Sequence, residues 1–150
     1  MIKSIKHQFF FAHPPEVVWE YLTKSELMEL WLMKNDFQPI VGFDFQFRTN
    51  PIPALNFDGI FYCKVLELVP HKKLSYSWKS GPGDGEITLD STVTWKLERK
   101  DKGTELFLDH SGFAKEENLN FYSGLLKGWL EKFQNIVDLL NTGAHDKINA

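Results

Sequence analysis

Apolar residues change their spacing two thirds of the way along this chain. They recur at every second position through much of residues 36–111, and at every third or fourth position in the last third. The second pattern predicts an amphipathic helix with one apolar stripe, made of Leu126, Trp129, Leu130, Phe133, Val137 and Leu140. Asn141 and Gly143 provide a stop signal. A helix that begins near Glu116 has about 25 residues and a length of roughly 37 Å, enough to cross a whole sheet.

The alternating segments predict antiparallel β-strands with one face turned to water. They are GFDFQFRT, IFYCKVLELV (60–69), LSYSW, TVTWKLE and TELFLDH. The turn-forming sequences VPHKK, SGPGDGE and KDKG separate the last four of them. The strand at 60–69 is apolar at both parities, so its pattern leaves the inner face open.

The start of the chain predicts one more strand and two short helices. Ile5, His7, Phe9 and Phe11 share one parity, Pro14 and Pro15 then break the strand, and a helix follows to about Leu22. Ser25 can cap a second short helix, SELMELWL. All these elements can bury their apolar faces together only if the sheet curls around the long helix. We therefore predict an α+β domain over residues 1–142, with about six or seven antiparallel strands, and a polar tail over 143–150 that frays.

Composition limits the function. At 150 residues and 43% hydrophobic, the chain can bury one substantial core. Its 17 basic and 20 acidic residues are interspersed, which argues against a nucleic-acid partner. No apolar run is long enough to span a membrane, and the single cysteine, Cys63, requires no oxidising compartment. We expect a cytoplasmic protein, and no cofactor or metal site, because the five histidines show no ligand spacing.

Several segments, in their order and spacing, resemble a known superfamily. They are HPPEVVWEYLT (13–23) followed by SELMELW, VLELVPHKKLSYSW (65–78), STVTWKLERKDKGTELFLDHSGF (91–113) and GWLEKF (128–133). The chain resembles the START and birch-pollen-allergen-like helix-grip (SRPBCC) superfamily, in the branch similar to the C-terminal domain of the activator of heat-shock-protein-90 ATPase. The glycine pair usual before the third strand is Val41 and Gly42 here.

The resemblance implies a curved sheet that grips a long helix, with a cavity between them. Members bind lipids, hormones or polyketides there, some cyclise polyketides, and the chaperone activator binds a protein. No invariant catalytic set can be transferred to this chain, so fold alone does not decide its function.

Aromatic residues make up 15% of the chain, and rings of this size can line a cavity as well as fill a core. The candidate cavity-lining residues are His7, Phe9, Trp31, Phe43, Phe45, Tyr62, Tyr76, Trp78, Trp95, His110, Leu126, Trp129 and Phe133. His7 and His110 could face the cavity from opposite walls. Gly124 and Gly128, four apart in the helix, could bend it, pack it closely on a neighbour, or let a ligand approach its backbone.

We therefore predict a protein that binds a small hydrophobic or amphipathic molecule, lipid-like or polyketide-like, in an internal cavity. One alternative is a protein-interaction module that binds a chaperone through its sheet face and loops. Another is a cyclase-like or hydrolytic enzyme with His7 or His110 as acid or base. We expect a binding protein rather than an enzyme, and we assign no catalytic residue.

Overall fold

The computed structural model of the protein describes residues 3–113 and 119–149. The strands are β1 (Lys3–Phe11), β2 (Lys34–Asn35), β3 (Asp44–Arg48), β4 (Ile60–Val69), β5 (Lys73–Ser80), β6 (Leu89–Lys100) and β7 (Gly103–Phe113). The helices are α1 (Pro15–Thr23), α2 (Ser25–Trp31), α3 (Leu119–Thr142) and α4 (Ala144–Asn149), with a 3-10 turn at Pro53–Leu55.

The strands form one sheet whose neighbours are all antiparallel. Its order is β1-β7-β6-β5-β4-β3-β2, so the first strand pairs with the last and the others follow the chain as a meander. The core lies between this sheet and α3, with α1 and α2 adding further buried side chains, among them Trp19 and Trp31. This is the predicted α+β helix-grip architecture, and the described residues contain seven strands.

Helix α3 buries a narrower stripe than the sequence pattern suggests. Its buried residues after Phe121 are Trp129, Phe133, Ile136 and Leu140. At about 100° of rotation per residue, these four positions cluster on one line, whereas Leu130 lies about 100° away. Leu130 is therefore 51% exposed, and its placement in the apolar stripe is wrong. The predicted helix start near Glu116 lies outside the described residues.

Residues 144–149, which the sequence predicts as a fraying tail, form the short helix α4 instead. The tail is anchored by Tyr21 of α1, whose hydroxyl lies 2.7 Å from Nδ1 of His145 and accepts the His145 backbone N–H. Ala144 is buried against the core. The polar sequence of this segment gave no indication that His145 would form hydrogen bonds with the buried Tyr21.

The structure also settles which face of β4 points inward. Phe61, Cys63 and Val65 are buried, while Tyr62 and Lys64 lie on the outer face. Pairing with β3 determines this choice, because Phe45 and Phe47, which are buried, pair with Cys63 and Phe61. Inward residues of neighbouring antiparallel strands lie opposite each other, so the register of β3 sets the face of β4.

Membrane spans can be assessed for the described ranges. No helix within residues 3–113 and 119–149 combines the length and hydrophobicity that a bilayer crossing requires. The cytoplasmic location stays a prediction.

Candidate functional site

An apolar cavity lies between the N-terminal half of α3, strands β4 and β5, and the connections that follow α2 and β3. Its volume is about 290 Å³, near the lower end of the range of small-molecule pockets, about 300–1,000 Å³. Its walls are formed by Leu32, Met33, Thr49, Ile52, Leu55, Phe57, Phe61, Trp78, Phe121, Gly124, Leu125, Gly128, Trp129 and Lys132. One of these side chains, Lys132, carries a charge. The rest of the wall is almost entirely apolar.

Two glycines on α3, the exposed Gly124 and the half-buried Gly128, border the cavity. Gly124 and Gly128 occupy successive turns of the helix face that lines the cavity. Within residues 3–113 and 119–149, a Cβ atom built on either glycine has no atom outside the local helix backbone within 4 Å. These residues therefore show no close packing of the helix on a neighbour, one interpretation of this glycine pair. At these two positions, no side chain of the helix lies between its backbone and the cavity.

The connection between β3 and β4 forms the opposite wall. The Thr49 N–H donates to the Gly59 carbonyl at 2.8 Å and closes the base of this loop. Gly59 has a φ of +90°, and a Cβ there would lie 2.6 Å from the Thr49 oxygen, so glycine is needed at this position. Inside the loop, the Phe57 ring packs against Phe61 at 4.7 Å and meets Phe121 edge-on at 5.4 Å. These rings position the loop beside α3.

Most of the predicted lining residues fill the rest of the interior. Trp31, Phe45, Tyr76, Trp95 and Phe133 are at most 2% exposed and make ring contacts with one another or with the same neighbours. Phe9, Phe43 and Leu126 are half-buried at the edge of this core. The Trp95 indole N–H donates to the Tyr76 hydroxyl at 3.0 Å, and that of Trp31 to the Tyr21 carbonyl at 2.6 Å. Of the thirteen predicted residues, Trp78 and Trp129 line the cavity.

His110 is fully buried behind these two tryptophans. The Ser91 hydroxyl donates its proton to the Trp78 carbonyl at 2.6 Å, so its oxygen accepts a hydrogen bond from the Nε2–H of His110, 2.9 Å away. His110 Nδ1 accepts the indole N–H of Trp129 at 3.2 Å. Both ring nitrogens are thus used by the neutral Nε2–H tautomer, and burial lowers the pKa of His110 to about 3. The histidine positions Trp129 and has no nitrogen left for substrate.

His7 also has a structural partner. Its Nε2 lies 3.0 Å from the Leu126 carbonyl of α3, to which it donates. β1 and β7 are adjacent strands, in which Ile5 pairs with His110, so the two histidines lie on the same wall. The prediction that they face each other from opposite walls is wrong, because it did not include the pairing of the first strand with the last. Neither histidine lines the cavity beside α3, so the geometry gives no support to the predicted acid–base role.

Tyr62 is on the outer face of the sheet, which corrects its predicted place in the cavity. Its hydroxyl donates to Asp58 at 2.6 Å, and this hydrogen bond raises the pKa of Tyr62. The phenol borders a polar surface hollow together with Lys64 and Lys79. Phe61, its neighbour in sequence, is the residue of β4 that reaches the cavity. Because β4 is apolar at both parities, the sequence offered no basis for choosing between them.

A larger hollow, of about 680 Å³, lies on the outer face of the sheet. It is bordered by charged side chains that include Lys6, Lys73, Lys96, Glu98 and Asp109. An apolar molecule gains little by binding between such groups. Nor do three His, Cys, Asp or Glu side chains converge as metal ligands anywhere in the described ranges. The cavity beside α3 is therefore the candidate site.

The seven-stranded sheet, the long helix and the apolar cavity between them define a protein of the helix-grip class. More specifically, the sequence matches the Activator of Hsp90 ATPase homolog 1-like protein family over residues 12–141. The chain belongs to this family. Among curated proteins, none matches the sequence significantly.

Many solved structures are similar to the chain over nearly its whole length. Protein MLL2253 from Mesorhizobium loti is 35% identical, with a TM-score of 0.82 and coverage of 93% of this chain and 98% of that one. The Aha1 dimer from Colwellia psychrerythraea is 21% identical, with a TM-score of 0.73 and coverage of 92% and 96%. DynU16, a putative protein in the dynemicin biosynthetic locus, is 20% identical with a TM-score of 0.74, and the match covers 93% of this chain and 48% of DynU16. At these identities, the last two show the fold alone.

Proposed function

We propose that this protein binds a small apolar or amphipathic molecule, lipid-like or polyketide-like, in the cavity between the sheet and α3. The observation that carries the proposal is the empty space beside Gly124 and Gly128. Natural cores are close-packed, and an apolar void forfeits contacts that a side chain or a ligand would make. A ligand in this space would bury its surface against the rings of Phe57, Phe61 and Phe121.

In the absence of a ligand, the two glycines lower the stability of the protein. Glycine in a helix interior is less stable than alanine by about 1 kcal/mol, and α3 carries two of them on one face. Alanine at either position would stabilise the helix, since a Cβ atom there meets no atom of the described residues outside the local helix backbone within 4 Å. The two glycines are therefore better explained by a ligand than by stability.

Titration of the isotope-labelled protein with a panel of lipophilic molecules tests the proposal, with amide shifts as the readout. We expect at least one member to shift resonances of residues 121–132 and of the loop 49–59. The variant Gly128→Leu should remain folded and lose this binding, because its side chain occupies the cavity. Ser123→Leu places the same side chain at an exposed position of α3 and should bind as wild type. Absence of shifts for every panel member, or unchanged binding by Gly128→Leu, would overturn the proposal.

Chaperone binding is a second candidate function, favoured by one surface feature. Val41 is 61% exposed and Leu66 is 47% exposed. They lie on adjoining segments, because the Gly42 N–H donates to the Val65 carbonyl at 2.8 Å. Family membership makes an Hsp90-type chaperone the partner to test. Stimulation of the chaperone's ATPase by the wild-type protein and its loss in Val41→Asp would support this function, while no stimulation would exclude it.

A further inference from the structure

Resting on the proposed role of the cavity as a ligand site, we infer that its ligand is an amphiphile with one anionic head, such as a carboxylate, and an apolar body that carries a hydrogen-bond acceptor. Two lining side chains bear a polar group without a partner in the described residues. The buried indole N–H of Trp78 has no hydrogen-bond partner there, and the ammonium group of the half-buried Lys132 has no ion-pair partner there. Both groups can only donate. A ligand complementary to this wall must therefore accept.

Lys132 supplies the charge. It lies on the same helix face as Gly124 and Gly128, one turn further along α3. Its neighbours three and four positions away are Trp129, Asn135, Gly128 and Ile136, so no carboxylate of α3 can pair with it in the usual way. No ion pair joins Lys132 to any other part of the described chain, as is also true of Lys34, Lys79 and Lys96, so it is its place in the cavity wall that sets it apart.

The ammonium group of Lys132 and the apolar wall around it together favour an anionic ligand. Among the described residues, the cavity lining includes no aspartate or glutamate that would neutralise the lysine or repel a carboxylate. Charges attract more strongly beside apolar groups than in bulk water, and a carboxylate accepts short, charge-assisted hydrogen bonds from an ammonium group. The head group of the ligand therefore lies at Lys132, with its apolar body along the bare backbone of Gly124 and Gly128.

Trp78 supplies the second donor, deeper in the site. The residue is 0% exposed and lines the cavity, yet its indole N–H has no partner in the described residues. The indoles of Trp31, Trp95 and Trp129 all donate to protein acceptors. A buried donor without a partner is destabilising, and an acceptor in the ligand body, such as a keto or phenol oxygen, would satisfy it.

Matched acid and ester probes test this inference at a pH at which the acids are ionised. The probes are 2-naphthoate and decanoate, each compared with its methyl ester, which keeps the apolar body and removes the charge. We expect the wild-type protein to bind the better-fitting acid about tenfold more tightly than its ester or better, with a preference that weakens as salt is added.

Two lysine variants assign the preference to one residue. Lys132→Met should lose the preference for acid while it still binds the ester. Lys127→Met, which removes a charge from an exposed position of the same helix outside the cavity, should keep the preference. Equal binding of acid and ester by the wild type, or an unchanged preference in Lys132→Met, would overturn the anionic head and leave the cavity as a ligand site. If neither 2-naphthoate nor decanoate binds, as acid or as methyl ester, the result would instead count against the cavity as a ligand site.

Discussion

The two halves of α3 face the same sheet across very different interiors. Along the C-terminal half, Phe133, Ile136 and Leu140 pack into a solid layer of rings and aliphatic side chains. Along the N-terminal half, Gly124 and Gly128 leave a cavity of about 290 Å³. One helix thus provides both the stability of the fold and the space for a ligand, and the division occurs at Trp129, which contacts both.

Trp129 can form this boundary because a hydrogen bond from the core side fixes its indole ring. Its indole N–H donates to His110, and the relay continues through Ser91 to the carbonyl of Trp78, the other tryptophan of the cavity wall. One buried, neutral histidine therefore connects the two tryptophans of the cavity wall, Trp78 and Trp129, through hydrogen bonds. Preorganised walls reduce the entropy that a ligand loses on binding.

The largest contrast between the two halves should appear when one ring is removed from each. Trp95→Ala in the filled half should lower the free energy of unfolding by about 3–5 kcal/mol, because it leaves a void that its neighbours cannot close. Phe121→Ala should cost less, because one side of this ring already faces open space. Urea denaturation measures both. A larger loss for Phe121→Ala would mean that the N-terminal half is the better packed one.

The relay behind Trp129 predicts a pH dependence. His110 has a pKa of about 3 in the folded protein and an ordinary value near 6.5 when unfolded. Below pH 6.5 the unfolded chain takes up a proton that the folded protein refuses, so stability is full above that pH and is lost as the pH falls toward 3. Between pH 7.5 and 5.5 this loss should be about 1.4 kcal/mol.

The variant His110→Asn provides the matched control for this measurement. It is expected to be less stable at neutral pH, because a hydrogen bond to Trp129 is lost, but its stability should change less over the same pH range. Identical pH profiles for wild type and variant would contradict the buried neutral histidine.

Alanine in place of glycine should have opposite effects in open and crowded regions. Gly128→Ala should raise the free energy of unfolding by about 1 kcal/mol, from helix propensity, because its Cβ meets no atom outside the local helix backbone in the part of the chain that the structure describes. Gly103→Ala should lower it, because a Cβ there would clash with the Phe11 carbonyl oxygen. Thermal unfolding of the two variants reports both signs. Destabilisation by Gly128→Ala would show that the space beside the helix is already occupied.

The smallest effect is expected on the outer face of the sheet. Tyr62→Phe removes a half-exposed hydrogen bond to Asp58 and should cost less than about 1 kcal/mol. Ligand affinity should not change, because Tyr62 does not border the cavity. Weaker binding of a ligand by this variant, at unchanged stability, would place Tyr62 in the site after all.

Sequence patterns predicted the architecture well because burial imposes regular periods. The parity of Ile5, His7, Phe9 and Phe11 and the spacing of Trp129 and Phe133 are direct consequences of strand and helix geometry. The same rules failed at β4, where both faces are apolar, and at the pairing of β1 with β7, which depends on residues a hundred positions apart. They also gave no sign that His145 would dock on Tyr21.

The position of the cavity was harder to predict than the fold, since a cavity is made where side chains are missing. Inward aromatic residues suggested a lining, but most of those rings fill the core. Phe57 and Ile52, which do line the cavity, come from an irregular loop without a period. The sequence feature that does indicate the cavity is the glycine pair at 124 and 128. Helical spacing places Phe121, Leu125 and Lys132 on the same face of α3 as these glycines.

The five tryptophans allow the central contrast to be measured in one experiment, by following the indole N–H resonances of the labelled protein as a ligand is added. The signal of Trp78, whose N–H has no partner in the described residues, should move furthest. That of Trp129 should move less, because its N–H already donates a hydrogen bond to His110. The signals of Trp31 and Trp95 should stay in place. Movement of Trp31 and Trp95 with a stationary Trp78 would contradict an open half and a filled half divided at Trp129.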